Sequence, residues 1–377
     1  MASLQENLEL LKNIATNPKK QLDHYIAAGK KVVGCFPVYT PEVMVHAAGM
    51  IPMGLWGAQT EITQSRNYLP PFACPIMQSC MELGLNGTYD GISCVMIPAM
   101  CDTFRCITQD WKTGVTSIPC IPFTFPQNRV MEESVTYLID EYTYVKNSIE
   151  KYCDVTITEE AMQTSIAVYN HHMSIMNTFC TIANEHLDII DAVTRHAVMK
   201  SATFMDKAEH AAIVEEIIDA LKAEPVCDWK DKKVVLTGIT AEPDALLQVL
   251  VDNKVAVVAD DVAQESRQYS TPIPTCDSAI EALARQWQNR TGDPLAHDEK
   301  LGRSELLLDL AKKNNATGVI LCLMKFCDPE EYDVPIIMET CKEAGIPFLT
   351  IEIDQQSTSY EQIRTRIQSF TEQLNHS

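Results

Sequence analysis

Three cysteines lie at the ends of predicted elements, where their thiols could do chemistry. Cys74 stands in "LPPFACPIMQSC", Cys101 in "PAMCDTFR" and Cys327 in "MKFCDPEEYD". A cysteine at a helix N-terminus is stabilised as the thiolate by the helix dipole and by free N–H groups. Three thiolates of this kind are typical ligands of a soft metal or of an iron–sulfur cluster.

The spacing of these cysteines does not choose between a metal site and ordinary loop cysteines. The chain has 14 cysteines but no C-x-x-C pair, and the three lie far apart in the sequence. In a reducing compartment, cysteines beyond packing needs are often metal ligands or catalytic thiols, whereas buried ones behave as small hydrophobes. We expect Cys94 and Cys322, inside apolar runs, to be core residues. The aspartates Asp102 and Asp328 are expected to cap helices or anchor loops.

Seven apolar runs predict the strands that would position these cysteines. They are continuous rather than alternating, which is typical of parallel strands covered by helices on both faces. Helical patterns separate them, one of which is predicted to begin with Thr40 as its cap and Pro41 in its first turn. The runs cover residues 30–39, 91–100, 117–125, 232–240, 254–261, 318–326 and 347–354. Alternation of strand and helix predicts an α/β fold with parallel sheets.

The strand–helix alternation occurs twice, on either side of a segment without strand signals. We therefore predict an N-terminal α/β domain over residues 1–130, a helical linking segment over 131–225 and a C-terminal α/β domain over 226–377. Both α/β domains are expected to be of the Rossmann or flavodoxin-like type. "GISCVMIPAMCDTFR" and "GVILCLMKFCDPEEY" echo each other, so Cys101 and Cys327 should both follow the carboxyl end of a strand. In open parallel sheets that edge is where ligands bind.

Composition restricts the partners and the compartment. The 377 residues carry a formal net charge of −21 and a pI of about 4.8, which argues against nucleic acid and anionic membranes as partners. No stretch approaches the ~18 apolar residues of a membrane span, and the N-terminus shows helical spacing of leucines rather than a signal peptide. We therefore expect a cytoplasmic protein.

Common enzyme signatures are missing from the sequence. It contains no G-x-G-x-x-G, no G-x-x-x-x-G-K-[ST] and no H-E-x-x-H, so neither a dinucleotide fingerprint nor a P-loop is present. The pair His171–His172 is predicted to lie on a helix surface. The stretch 260–269, two acids followed by Arg267, could hold a polar ligand or begin an acidic helix.

Six motifs in order along the chain carry a family resemblance. They are "GKKVVGCFPVYTPEVMVHAAGMIPMGLWG", "FACPIMQSC", "PAMCDTFR", "VVADDVAQESRQ", "MKFCDPEEYD" and "IEIDQQSTSYEQIRTRIQSF". With them the chain resembles the (R)-2-hydroxyacyl-CoA dehydratases, and more closely their smaller β subunit. Within the family it is more similar to the 2-hydroxyisocaproyl-CoA and phenyllactyl-CoA enzymes than to the 2-hydroxyglutaryl-CoA enzyme.

The resemblance implies a cofactor, partners and a reaction. It implies a [4Fe–4S] cluster held by Cys74, Cys101 and Cys327, a homologous α subunit that binds the acyl-CoA, and a separate ATP-dependent iron–sulfur activator protein. The implied hydro-lyase reaction is syn-elimination of water from an (R)-2-hydroxyacyl-CoA to the (E)-2-enoyl-CoA. One low-potential electron turns the thioester carbonyl into a ketyl, which expels the α-hydroxyl and makes the β-hydrogen acidic. The electron is then returned.

Several alternatives stay open at the level of the sequence. A benzoyl-CoA reductase-type subunit or another electron-transfer subunit of the same superfamily would share these motifs, and an α/β protein that binds a small ligand without metal would share the strand ends. The sequence also leaves open the acyl group, the ligand of the fourth iron and an FMN at the subunit interface. It names no catalytic proton base in this chain.

Overall fold

A computed structural model describes residues 2–374 as two parallel sheets surrounded by helices. The strands are β1 (Val32–Cys35), β2 (Ile51–Gly54), β3 (Ile92–Pro98), β4 (Cys120–Phe123), β5 (Lys232–Gly238), β6 (Val255–Val262), β7 (Gly318–Met324) and β8 (Phe348–Ile353). The predicted α/β class with two parallel sheets is confirmed. The short strand β2 was not predicted, because its four residues include Pro52 and form no long apolar run.

Helices cover the sheets and connect their strands. They are α1 (Leu4–Thr16), α2 (Pro18–Ala27), α3 (Glu42–Ala47), α4 (Pro75–Leu85), α5 (Asp102–Gly114), α6 (Glu132–Cys153), α7 (Glu159–Ala183), α8 (Ala192–Ser201), α9 (Lys207–Ala223), α10 (Asp244–Asp252), α11 (Ala279–Gln288), α12 (Arg303–Lys313), α13 (Asp328–Glu343) and α14 (Glu361–Gln373). Helix α3 begins one residue later than predicted, so Pro41 takes the cap position and Thr40 makes no side-chain cap. None of the helices within residues 2–374 is long and apolar enough to cross a membrane.

The two sheets have the same strand order, which explains the echo in the sequence. The first sheet runs β2-β1-β3-β4 and the second β6-β5-β7-β8, all parallel. Strands β3 and β7 therefore occupy equivalent positions, and their internal cysteines, Cys94 and Cys322, are fully buried as predicted. This order is that of a flavodoxin-like sheet, whose ligands bind where the chain switches sides between its first and third strands.

A strand-free segment lies between the two sheets, as the sequence predicted. Its helices α6 to α9 pack against elements of both halves, α3 and α1 on one side and α11 on the other. The main hydrophobic core runs through residues of both sheets and of this segment. The domain boundaries at 130 and 225 stay a prediction.

Close packing between the strands of the second sheet requires a glycine at the end of β5. Gly238 has φ +144°, and a Cβ atom there would lie 2.4 Å from the carbonyl oxygen of Cys322 on β7. Because an L side chain rarely adopts this backbone conformation, only glycine allows β5 and β7 to stay paired up to their carboxyl ends. Those ends form the site described next.

Candidate functional site

The carboxyl ends of both sheets open into one shared cavity. It has a volume of about 800 Å³ and is lined by the segments that follow β1, β3, β5 and β7. These are the first and third strands of each sheet, so the cavity lies at the switch point of both. Cys74, Cys101 and Cys327 all line it. Three cysteines separated by up to 253 positions in the chain are thus brought to one place.

Each of the three cysteines is the residue that immediately precedes a helix. Cys74 precedes α4, Cys101 precedes α5 and Cys327 precedes α13. The first N–H groups of an α-helix have no partner within the helix, and they carry its partial positive charge. Three helix N-termini therefore point their free N–H groups towards one cavity, an arrangement suited to a negatively charged group such as a thiolate-bound cluster.

The aspartates that follow two of these cysteines do not cap the helices. Asp102 and Asp328 occupy the first helical position, because the cap position belongs to the cysteines. The Asp102 side chain is 93% exposed and lies 3.5 Å from Arg105 one turn along α5. The prediction that Asp328 caps its helix is therefore wrong. Both carboxylates instead add negative charge to the first turn, where it interacts favourably with the helix dipole.

Burial opposes ionisation of the three thiols in the metal-free chain. It raises the pKa of Cys74 to about 12, although the N–H groups of Met77 and Ile76 partly offset it. Burial likewise raises the pKa of Cys101, and it raises that of Cys327 well above its ordinary value. The N–H groups at the helix N-termini do favour the thiolate, but burial has the larger effect on these pKa values. Ligation would release the thiol protons, as metal binding to cysteine does in general.

An arginine behind the cavity holds the helix of Cys327 in place. Arg303 is buried, and its guanidinium contacts Glu330 at 2.7 Å and Asp333 at 2.9 Å, both in the first two turns of α13. The same group reaches Asp261 at 3.3 Å and the Thr237 hydroxyl at 2.9 Å. It therefore ties α13 to the carboxyl ends of β5 and β6.

Glu330 is the most deeply placed acid of this network. Its side chain is fully buried, and apart from the ion pair with Arg303 neither carboxylate oxygen has a hydrogen-bond partner of good geometry within residues 2–374. Burial raises the pKa of Glu330, and the Arg303 cation opposes that shift. The sequence showed Glu330 only as one of several acids after Cys327. Arg303 was missed altogether, because its partners lie about 30 and 40 positions away.

Two other predicted features have structural roles. The acids at 260–261 are buried at the end of β6, where Asp261 forms an ion pair with Arg267 at 2.5 Å. This stretch is thus a strand end followed by a turn rather than the start of an α-helix, and a polar ligand there stays a prediction. In the histidine pair, His171 is exposed as predicted, but His172 is buried and its Nε2 lies 3.0 Å from Nδ1 of His210.

The chemistry of the three cysteines is compatible with a cluster. Within residues 2–374, no three His, Cys, Asp or Glu side chains are grouped closely enough to hold one ion. In a [4Fe–4S] cluster each thiolate ligates a different iron atom, so the sulfur atoms need only surround a common space. A cavity bordered by three thiols and three helix N-termini meets that requirement. That these cysteines bind iron stays a prediction.

The mouth of the cavity is acidic and has a hydrophobic rim. Its lining includes five acids, namely Asp102, Asp298, Glu299, Asp328 and Asp333. Among the lining residues that the structure describes, Arg105 is the one arginine or lysine. Large apolar side chains stand exposed on its lining, and we call Leu301, Phe326 and Tyr332 the hydrophobic rim. Exposed clusters of this kind mark interaction surfaces.

Fold and site together define a class of protein. Two flavodoxin-like sheets face each other across a cavity lined by three cysteines, each at a helix N-terminus. The chain belongs to the family described as "2-hydroxyglutaryl-CoA dehydratase, D-component", whose pattern matches residues 37–374. The match covers all three cysteines and every strand except β1, so the resemblance inferred from the motifs is confirmed.

Characterised relatives are similar to the chain over nearly its full length. The lactoyl-CoA dehydratase subunit beta of Anaerotignum propionicum is 45% identical, covering 99% of this chain and 100% of the relative. The (R)-phenyllactyl-CoA dehydratase beta subunit of Clostridium sporogenes is 42% identical, covering 96% and 97%. The (R)-2-hydroxyglutaryl-CoA dehydratase subunit beta of Acidaminococcus fermentans is 36% identical, covering 97% and 98%. The predicted order, phenyllactyl-CoA before 2-hydroxyglutaryl-CoA, is confirmed.

Proposed function

We propose that this chain is the β subunit of an (R)-2-hydroxyacyl-CoA dehydratase and passes one electron to an α subunit. Cys74, Cys101 and Cys327 would hold a [4Fe–4S] cluster in the cavity between the two sheets. The observation that carries the proposal is their convergence on one cavity, each at a helix N-terminus. The similarity to three dehydratase β subunits supports the same conclusion.

When bound, the cluster would supply a single low-potential electron that makes the α-hydroxyl of the substrate a leaving group. The chain's own residues set the surroundings of that electron. N–H groups at three helix ends face the sulfur atoms, and hydrogen bonding and exposure around the sulfur atoms tune the potential of such clusters. The ion pairs of Arg303 keep the α13 end in place.

The charge of the cavity favours a relay over a substrate site. Coenzyme A carries several phosphate charges, whereas the lining holds five acids against the single Arg105. Because like charges repel, this mouth disfavours an acyl-CoA. We therefore propose that the acyl-CoA binds mainly on the α subunit, and we assign no proton base to this chain.

The hydrophobic rim is the surface we propose for the α subunit. Tyr332 is 80% exposed and Phe326 is 40% exposed, and both line the cavity that Cys327 also lines. An electron leaving the cavity would pass through this opening, so the acceptor should dock there. The source of the electron is expected to be a separate ATP-dependent iron–sulfur activator, since this chain has no P-loop sequence.

Reconstitution of dehydration tests the proposal. The chain would be combined anaerobically with the α subunit and activator of its own source, and (R)-2-hydroxyacyl-CoA would be converted to (E)-2-enoyl-CoA. Cys101→Ala should abolish turnover while the complex with the α subunit still forms in size-exclusion chromatography. Cys106→Ala is the matched control, because Cys106 lies exposed on the same helix and should leave turnover unchanged. Full activity of Cys101→Ala would refute the assignment.

A further inference from the structure

A second, smaller cavity lies behind the loop that forms one wall of the cysteine cavity. In this loop, Pro37 and Val38 line the cysteine cavity, whereas Tyr39 and Thr40 line the smaller one. The smaller cavity has a volume of about 70 Å³. That volume holds roughly five water molecules, and hence a small ion of a few atoms. An acyl-CoA cannot enter it.

A buried arginine without an acidic partner faces this cavity. Arg290 is 6% exposed, and its guanidinium carbon lies 3.7 Å from the centre of the Tyr39 ring. Its Nη1 donates a hydrogen bond to the carbonyl of Arg267 at 3.1 Å. Nε and Nη2 have no acceptor within residues 2–374, and no acid there forms an ion pair with this side chain. The buried carboxylate of Asp293 accepts a hydrogen bond from the hydroxyl of the same Tyr39, but it forms no ion pair with Arg290. A buried guanidinium edge without acceptors is unfavourable, so the site is incomplete as it stands.

The free nitrogen atoms of Arg290 form a specific recognition edge. Nε and Nη2 lie side by side in the guanidinium plane, and this edge donates two parallel hydrogen bonds to the oxygens of one carboxylate. The hydroxyl of Tyr142, also on the cavity wall, makes no hydrogen bond to the described part of the chain. It supplies a further donor.

The remaining charges around the cavity cancel. Lys207 lies 3.1 Å from Glu42, so these two neutralise each other. Burial lowers the pKa of His172 well below its ordinary value, which keeps that ring neutral. The lining therefore carries a net charge of one positive unit, contributed by Arg290. Asp293, bonded to the Tyr39 hydroxyl but outside the lining, offsets part of this charge, whereas an anion in the cavity would contact Arg290 directly.

We propose that this cavity binds a small monocarboxylate, of the size of formate or acetate. Both carboxylate oxygens accept hydrogen bonds from Nε and Nη2 of Arg290, and one also accepts a hydrogen bond from Tyr142. The bound anion holds the Tyr39 loop, whose other side forms the wall of the cysteine cavity. The site does not depend on the proposed cluster.

Calorimetric titration of the full chain tests the site. Protein freed of carboxylates would be titrated with formate and with acetate, and with chloride at equal ionic strength as the reference. We expect saturable binding of formate or acetate and a higher melting temperature in their presence than in chloride. Arg290→Gln should weaken binding by ~10- to 100-fold, because it removes a charge-assisted bidentate contact.

A second variant keeps the test informative if Arg290→Gln does not fold. Tyr142→Phe removes a hydroxyl that has no hydrogen-bond partner in the described part of the chain, so its melting temperature without carboxylate should match or exceed that of the unchanged chain. Its affinity for the anion should fall about threefold to tenfold. Tyr137→Phe, on the exposed side of the same helix, is the matched control and should bind normally. Equal effects of carboxylate and chloride, or unchanged affinity in Tyr142→Phe, would overturn the proposal.

Discussion

Replacing Arg303 with methionine would leave a buried carboxylate without its cation. Arg303 is 4% exposed and Glu330 is fully buried, with 2.7 Å between Nη2 of the arginine and Oε1 of the glutamate. Asp261 would keep Arg267 as a partner, and Asp333 is partly open to water. Glu330 has no second ion pair among residues 2–374, although the charge of Arg267 still acts on it from further away. Removing one member of a buried ion pair costs about 3–5 kcal/mol, a large part of the ~5–15 kcal/mol by which domains are stable.

The origin of this loss can be isolated by a second substitution. Glu330→Gln in the Arg303→Met background removes the unpaired charge while it keeps the shape of the side chain. It should recover about 1–3 kcal/mol of the free energy of unfolding, because the amide is less costly to bury than the carboxylate. In the otherwise unaltered chain, Glu330→Gln should lower the free energy of unfolding, because it breaks the ion pair with Arg303.

Urea unfolding of the reduced, metal-free chain measures these differences. The urea midpoint should fall with Arg303→Met and rise again in the double variant, while the slope of the unfolding free energy against urea concentration stays constant. Arg364→Met is the matched control, because Arg364 forms an exposed ion pair with Asp252 at 3.3 Å and such pairs contribute ~0–1 kcal/mol. An Arg303→Met midpoint no lower than that of Arg364→Met would refute the account of α13.

Three further outcomes follow from the structure. Burial lowers the pKa of His210 from 6.5 to about 3, so the unfolded chain binds a proton at a higher pH than the folded chain does. The free energy of unfolding should therefore decline by up to about 5 kcal/mol as the pH falls from 6.5 to about 3. In His210→Gln the urea midpoint should decline less over the same pH range. In thermal unfolding, Gly238→Ala should lower the free energy of unfolding by about 3 kcal/mol or more, whereas Gly49→Ala, with open space around it, should lower it by only about 1 kcal/mol. Equal losses would contradict the close approach of Gly238 to the carbonyl oxygen of Cys322. Tyr332→Asp should weaken binding to the α subunit about tenfold or more in a titration, whereas the equally apolar but distant Tyr144→Asp should not; equal binding by both would exclude the rim as the docking surface.

The fold was largely predictable because buried parallel strands leave a clear local signal. Seven of the eight strands appear as continuous apolar runs, and the two matching Cys-Asp segments follow β3 and β7, which hold equivalent places in the two sheets. Strand β2 escaped detection because it is short and contains a proline. The local signal does not contain the strand order, which depends on long-range packing.

The candidate site was predictable in its residues but not in its surroundings. Cys74, Cys101 and Cys327 could be singled out because each stands where an element begins or ends. The sequence could not show that burial outweighs the helix N-termini in setting the thiol pKa values. Nor could it show Arg303 behind Cys327, because an ion pair between distant positions leaves no pattern along the chain.

Iron and acid-labile sulfide in the anaerobically purified chain would show whether Cys74, Cys101 and Cys327 hold a [4Fe–4S] cluster. We expect about four iron and four sulfide per chain, lost when Cys74, Cys101 or Cys327 is replaced by alanine and retained when the exposed Cys106 is replaced. Absence of iron and sulfide from the anaerobic protein, or their retention in all three variants, would contradict this expectation.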